Sequence, residues 1–241
     1  MTLKGGKITW LGHSTFLLDT DAGHRVLIDP WLAGNPKCPA AYHEVEVDAI
    51  LITHGHGDHL GDVFTAHTRC KGPIVGIYDL TTWLATKGVE GSKLSGMNKG
   101  GTIPILDGAL GVTMVDARHS SSFMEADGTV VYLGEPAGFV VTIAGGDSVY
   151  FAGDTALFGD MALIGQLYAP TVAALPIGDH FTMDPRAAAF ASKLLGVRTV
   201  IPCHYGTFPL LHGTPDQLRA ELGVLGLDVN VAALEPGQTY G

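Results

Sequence analysis

Four residues with metal-binding chemistry fall within six positions: His54, His56, Asp58 and His59, in the run Thr53-His54-Gly55-His56-Gly57-Asp58-His59-Leu60-Gly61-Asp62. Neutral imidazole nitrogen suits zinc, and carboxylate oxygen suits zinc and harder cations. The run follows Ala49-Ile50-Leu51-Ile52, which is short, β-branched and uncharged and so reads as a buried strand. The ligands would then sit where that strand opens into a loop, a usual place for a rigid core to present reactive groups.

Three more metal-competent residues share that context. His119 follows Val112–Val115, Asp154 follows Val149–Phe151, and His204 follows Val200-Ile201. If these strands are neighbours, their tips converge on one edge and build a single polynuclear site.

The order His54-x-His56-x-Asp58-His59, His119, Gly153-Asp154-Thr155, His204 resembles the metallo-β-lactamase superfamily over most of the chain. The opening Trp10-Leu11-Gly12-His13-Ser14 and the short length are similar to its uncharacterised metal-dependent hydrolases, the group related to ascorbate-phosphate lactonases. The resemblance implies a four-layer αβ/βα sandwich: two mixed sheets back to back, with helices outside. It implies one metal on His54, His56 and His119 and a second on Asp58, His59 and His204, with Asp154 bridging. Zinc is the first expectation for the two divalent ions, with manganese, iron or nickel as alternatives. Such a pair, typically about 3.5–4 Å apart, can generate a nucleophile from water and hold the attacked group.

The candidate catalytic residues are Asp58, His13 and His180, with Asp58 also counted among the ligands. His13 lies at a bend in the first hairpin, which the resemblance places near the metals, and could bind substrate or shuttle a proton. The competing reading is a structural imidazole on a backbone carbonyl. His180, in Gly178-Asp179-His180-Phe181, follows an apolar strand and could face a developing oxyanion or a leaving group. Asp29, Asp62 and Asp179 fit a role orienting a ligand histidine. Thr53 and Thr155 read as hydrogen-bonding scaffold. Tyr205 and Phe208 could line a pocket, although core packing explains them as well.

The elements that must position these groups alternate in type. Strands are expected at 7–11, 15–19, 25–29, 49–52, 74–77, 102–105, 111–117, 139–143, 149–152, 172–177, 199–202 and 229–234. Helices are expected at 62–69, 79–87 with Gly88 as C-cap, 158–168, 185–195 with Asp184 as N-cap and Pro185 first, and about 215–225. Residues 30–42 and 118–128 read as loops. A single domain over 1–241 with two packed sheets and outer helices fits this order.

Composition limits the function classes. Of the 241 residues 46% are hydrophobic, enough for a sizeable core, while 33 glycines and 13 prolines favour short elements. The formal charge of −10, with scattered Lys and Arg, argues against a nucleic-acid partner. Cys38, Cys70 and Cys203 lack a CxxC spacing and suit a reducing compartment. No signal-type or membrane-spanning apolar run is seen. The expectation is a cytoplasmic protein with a small-molecule substrate and no membrane partner; a homo-oligomer is compatible with it. The leading activity is dinuclear metal-dependent hydrolysis of a phosphodiester, phosphate ester or lactone. A di-iron redox protein and a non-catalytic metal-binding member are the alternatives. The first would use a flavin partner, and the full ligand set argues against the second.

Overall fold

The computed structural model describes residues 2–241. The chain opens with a meander, β1 (Gly6–Trp10), β2 (Phe16–Thr20) and β3 (Arg25–Ile28), each strand antiparallel to the last. After the 29–48 loop, β4 (Ala49–Leu51) pairs parallel to β3. The expected helix over 62–69 is instead two single turns, α1 (Gly57–Leu60) and α2 (Val63–Ala66), then a 3-10 turn; helix begins inside the His-rich run itself. Next come β5 (Ile74–Ile77), α3 (Tyr78–Thr86) and β6 (Leu94–Met97), which complete a parallel β3-β4-β5-β6 half. Gly88, at φ 92°, ends α3 as expected: its N–H reaches the Ala85 carbonyl and the Val89 N–H reaches Leu84.

The second sheet begins with antiparallel β7 (Thr102–Ile105) and β8 (Leu110–Asp116). A separate two-stranded ribbon, β9 (Ser122–Met124) and β10 (Val130–Tyr132), occupies part of the expected 118–128 loop. The hairpin of β11 (Ala137–Ile143) and β12 (Ser148–Phe151) turns at Gly145-Gly146 as read. The chain then alternates α4 (Met161–Tyr168), β13 (Val172–Pro176), α5 (Pro185–Leu195), β14 (Thr199–Cys203), α6 (Pro215–Val224) and β15 (Asn230–Val231), before β16 (Thr239–Tyr240) crosses back to β1. The sheet orders are β16-β1-β2-β3-β4-β5-β6 and β15-β14-β13-β12-β11-β8-β7.

Period-two alternation decides what each face packs against. Ala174 on β13, Ile201 on β14 and Val149 and Phe151 on β12 join the core shared with the first sheet, which holds Ile8, Leu17, Leu27 and Ile50. Their neighbours Ala173, Leu175, Val200 and Tyr150 point the other way, onto Ala188 and Leu195 of α5 and Leu218 of α6. Leu80 and Leu84 of α3 cover the first sheet. The result is the two-sheet sandwich with outer helices. Asp184 caps α5 by accepting from the Ala187 N–H at 2.7 Å, and Thr214 with Gln217 forms a capping box on α6.

Candidate metal centre

Strand direction brings the site together. Strands β1, β3 and β4 run one way in the first sheet, and β8, β12 and β14 run one way in the second. Each of the six ends at one edge of the sandwich, and just past each end comes a site residue: His13, Asp29, His54, His119, Asp154 and His204. The His204 N–H donates to the His13 carbonyl at 2.9 Å, which joins the tips of the two sheets. Gly153, at φ +60°, lies so close to Thr53 that an added Cβ would sit 2.7 Å from its side chain; only glycine lets these two tips meet.

Two clusters of ligand atoms result. Nε2 of His54 and Nδ1 of His56 are 3.0 Å apart, and Nε2 of His119 is 3.3 Å from the same His56 atom. Ligands on one tetrahedral ion at zinc–nitrogen bond lengths are separated by about 3.3 Å, so this triad has the spacing of a coordination shell. The second cluster holds His13, Asp58, His59 and His204, whose ligand atoms all lie within 4.8 Å of one another. Asp154 stands between the clusters: Oδ1 is 3.3 Å from His59 Nε2, and Oδ2 is 3.0 Å from His204 Nε2 and 3.6 Å from His119 Nε2. The structure thus brings together all seven expected ligands and His13.

The hydrogen bonds behind this shell fix which nitrogen faces inward. Thr53 Oγ1 donates its only proton to Asp29 Oδ2 at 2.8 Å, so it accepts from His54 Nδ1–H at 3.0 Å. His59 Nδ1–H donates to the same Asp29 oxygen at 2.7 Å. One buried carboxylate therefore sets two tautomers and turns two Nε2 lone pairs toward the centre. Asp29 Oδ1 also accepts from the Thr53 N–H at 2.8 Å. Asp62 does something different: it accepts from the Leu32 and Gly34 N–H groups and pins the 30–34 loop onto the His-rich run. Thr155 accepts from the Arg118 N–H at 2.9 Å and so ties the strand ends that carry His119 and Asp154.

The donor set is that of a cation site. His59 Nε2 and Asp154 Oδ1 face each other, buried, and neither has a hydrogen-bond partner. Two acceptors left so are costly, and a positive charge between them removes the cost. Burial disfavours a charged His59, but the Asp154 and Asp29 carboxylates outweigh it and hold its pKa well above the ordinary value; the protein favours positive charge at this point. Burial would raise Asp154, yet His204 and His59 hold its carboxyl well below the usual range. Burial keeps His54, His56 and His119 low, so these rings stay neutral, as ligands must be.

His13 is fully buried, and burial pushes its pKa down to about 4. Its Nε2–H donates to Asp58 Oδ2 at 3.0 Å, while Nδ1 accepts from the Thr207 hydroxyl at 3.0 Å. His180 is not drawn in. It is exposed, makes no side-chain hydrogen bond, and sets its ring edge-on to Phe181 at 4.4 Å. Asp179 engages through its backbone, donating to the Met183 carbonyl at 3.0 Å. Several of these residues hold left-handed backbone conformations: His13 (φ 53°), Asp29 (52°), Asp179 (66°), His180 (53°) and His204 (53°). Such non-glycine outliers gather at functional sites.

Sequence reasoning missed Ser120, whose Oγ is 3.2 Å from His56 Nε2, and Ser121, whose Oγ accepts from the Gly55 N–H at 3.1 Å. The available signal was their place directly after His119. It also missed Trp31, set edge-on to His13 at 5.1 Å, because nothing local marks a loop tryptophan as lying near a distant histidine. A cleft of about 680 Å³ opens over the centre, lined by His56, Asp58, His119 and His204 together with Phe181, Phe208 and Leu210.

A family profile described as the Beta-lactamase superfamily domain matches residues 24–205. Fold and site define a metal-dependent hydrolase of this superfamily. A UPF0173 metal-dependent hydrolase of Roseiflexus castenholzii is 48% identical over 236 residues, covering 96% of each chain. One from Methanopyrus kandleri is 49% identical over 97% of this chain and 99% of its own. The solved structure of Igni18, a metallo hydrolase from Ignicoccus hospitalis, superposes with a TM-score of 0.84 at 36% identity over 97% of each chain. The chain belongs to the beta-lactamase superfamily and, within it, to the UPF0173 metal-dependent hydrolases.

Proposed function

We propose that the centre holds two divalent cations, zinc first among them, and hydrolyses a phosphodiester, phosphate ester or lactone-type small molecule. The single observation that supports this most is Asp154: one oxygen faces His59, and the other faces His204 and His119. A carboxylate so placed can serve both ligand sets. His54 Nε2, His56 Nδ1 and His119 Nε2 would hold one ion; Asp58, His59 and His204 would hold the other. When bound, the pair supplies Lewis acidity and a nucleophile from water at neutral pH.

The chain's own groups do the positioning. Asp29 and Thr53 keep the Nε2 lone pairs of His54 and His59 inward, and His56 places its Nε2 against Ser120 while offering Nδ1. His13 is a positioning residue in this reading: its Nε2–H holds Asp58 at one carboxylate oxygen and leaves the other for the centre. Neutral His13 loses no proton to Asp58, whose carboxyl lies below the usual range despite its burial. His180 stays outside the proposed chemistry because it is exposed and absent from the cleft wall.

The test measures metal stoichiometry and turnover together. Wild type should bind two equivalents of metal by elemental analysis and cleave members of a phosphodiester, phosphomonoester and lactone panel. His56→Ala and Asp58→Ala should each lose metal and at least about a hundredfold in kcat. Full turnover at one equivalent, or unchanged metal content in the variants, would sink the dinuclear reading.

A further inference from the structure

The apolar part of the cleft wall carries information about the substrate. Phe181, Phe208 and Leu210 line it while remaining 51%, 38% and 47% exposed, so these large apolar groups are spent on the cleft and not on the core. Phe181 is put there by an unusual turn. Asp179 and His180, two consecutive non-glycine residues, are both left-handed, and the Phe181 N–H folds back onto the Asp179 carbonyl. That turn places an aromatic ring, not the preceding histidine, in the cleft. Phe208 is braced in turn, with its ring 5.9 Å from Trp31 and 5.5 Å from His13.

No Lys or Arg lines this cleft. Lys99 and Arg118 line an adjoining groove of about 700 Å³ that shares His119 and Ser120 with it. Both are already paired there. Lys99 is 2.5 Å from Asp116 and 2.9 Å from Glu135, and Arg118 is 3.2 Å from Asp116. Inside the cleft itself, a phosphate or carboxylate remote from the reacting centre would meet no basic side chain.

We propose that the cleft takes neutral acyl compounds, carboxyl esters or lactones, whose apolar substituent packs on Phe181, Phe208 and Leu210. This rests on the hydrolase reading above and narrows its substrate class. In the reaction, the oxygen of water bonds to the acyl carbon and the acyl carbon–alkoxy oxygen bond breaks. The alkoxy oxygen leaves with a proton from that water, giving a carboxylic acid and an alcohol. The substituent takes no part in bond-making; it contributes by leaving water for the apolar wall, which is worth about fourfold per fully buried methylene.

Two measurements on zinc-loaded protein separate this inference from the reading it rests on. The first is calorimetric affinity for acetamide, butanamide and hexanamide, neutral analogues that resist turnover. The second is kcat/KM for the p-nitrophenyl acetate, butyrate and hexanoate esters and for bis(p-nitrophenyl) phosphate. Both series should rise with chain length, by about 30-fold or more from two carbons to six, and the hexanoate ester should exceed the phosphodiester. In Phe181→Ser/Leu210→Asp the six-to-two-carbon ratio should fall at least tenfold. A flat amide series, or a phosphodiester cleaved better than every ester, overturns the inference. Flat amides with brisk ester turnover overturn it while sparing the hydrolase reading. A rising amide series without turnover of any ester or phosphodiester supports the apolar wall and sinks hydrolysis.

Discussion

At the scale of single residues, Asp29 has the widest reach. It touches no cation-facing atom itself, yet it decides through Thr53 and His59 which imidazole nitrogens are free. Asp29→Asn keeps the shape and tolerates the left-handed backbone, but removes an acceptor that two donors share. Metal affinity, measured by competition with a chromophoric chelator, should fall about 10- to 100-fold with the fold intact by circular dichroism. His13 gives a pH prediction. Its pKa in the fold is depressed to about 4 from an ordinary 6.5, chiefly by burial. Below 6.5 the unfolded chain binds this proton first, so His13 draws stability away as pH falls from 6.5 to 4. The change is roughly 3 kcal/mol. Urea midpoints of the metal-free protein and His13→Gln, compared at pH 7 and pH 4.5, should show wild type losing more. His59 runs in the opposite sense: its raised pKa stabilises below 6.5 and is lost on the alkaline side.

At the scale of elements, the contact between strand tips is the sensitive joint. Gly153→Ala adds a Cβ 2.7 Å from the Thr53 side chain at a left-handed position. It should cost on the order of 2 kcal/mol in denaturant unfolding and weaken metal binding by displacing Thr53 from Asp29. Elements with a strong local signal were legible from sequence: β12, β13 and β14 are continuous apolar runs, and α5 and α6 announce themselves by Asp184-Pro185 and Thr214-Pro215. Elements without such a signal were not. The ribbon β9–β10 leaves Met124, Val130 and Tyr132 exposed and only half-buries Phe123 and Val131, so Ser122 and the polar turn after Met124 read as loop. Strand β6 carries Gly96 because an added Cβ would sit 2.6 Å from Thr81 Oγ1 on α3, and glycine hides a strand pattern. Strands β15 and β16, two residues each, are too short for any periodicity to show.

At the scale of the whole molecule, two sheets that share one core bring together seven candidate ligands from four separate stretches of chain. That these residues would gather at one edge could be read from sequence, since each stretch follows an apolar strand. That His13 lies against Asp58, that Phe181 displaces His180, and that Ser120 meets His56 could not: the first joins the tips of two strands of one sheet, the second depends on a left-handed turn, and the third crosses between the sheets. Because the candidate ligands come from both sheets, a bound cation would clamp the sandwich. Chelation should therefore lower the melting temperature of the whole protein in one transition. At free metal a hundred times Kd the lost stabilisation is about 2.7 kcal/mol, a shift of roughly 5–10 °C by calorimetry. None of the described helices is long and apolar enough to cross a membrane.

The left-handed residues at the site edge restrict how this sequence can drift. At His13, Asp29 and His204 a replacement must satisfy both the contacts of the site and a backbone that costs most residues about 1–2 kcal/mol. Glycine would relax the backbone and forfeit the chemistry; valine or isoleucine would fail on both counts. Selection for a sturdier protein would find its easiest gains at these very positions, and each gain would be bought with function. A lineage that gives up this chemistry should therefore show it first as glycine or asparagine at these strand ends, while the apolar strands behind them stay unchanged.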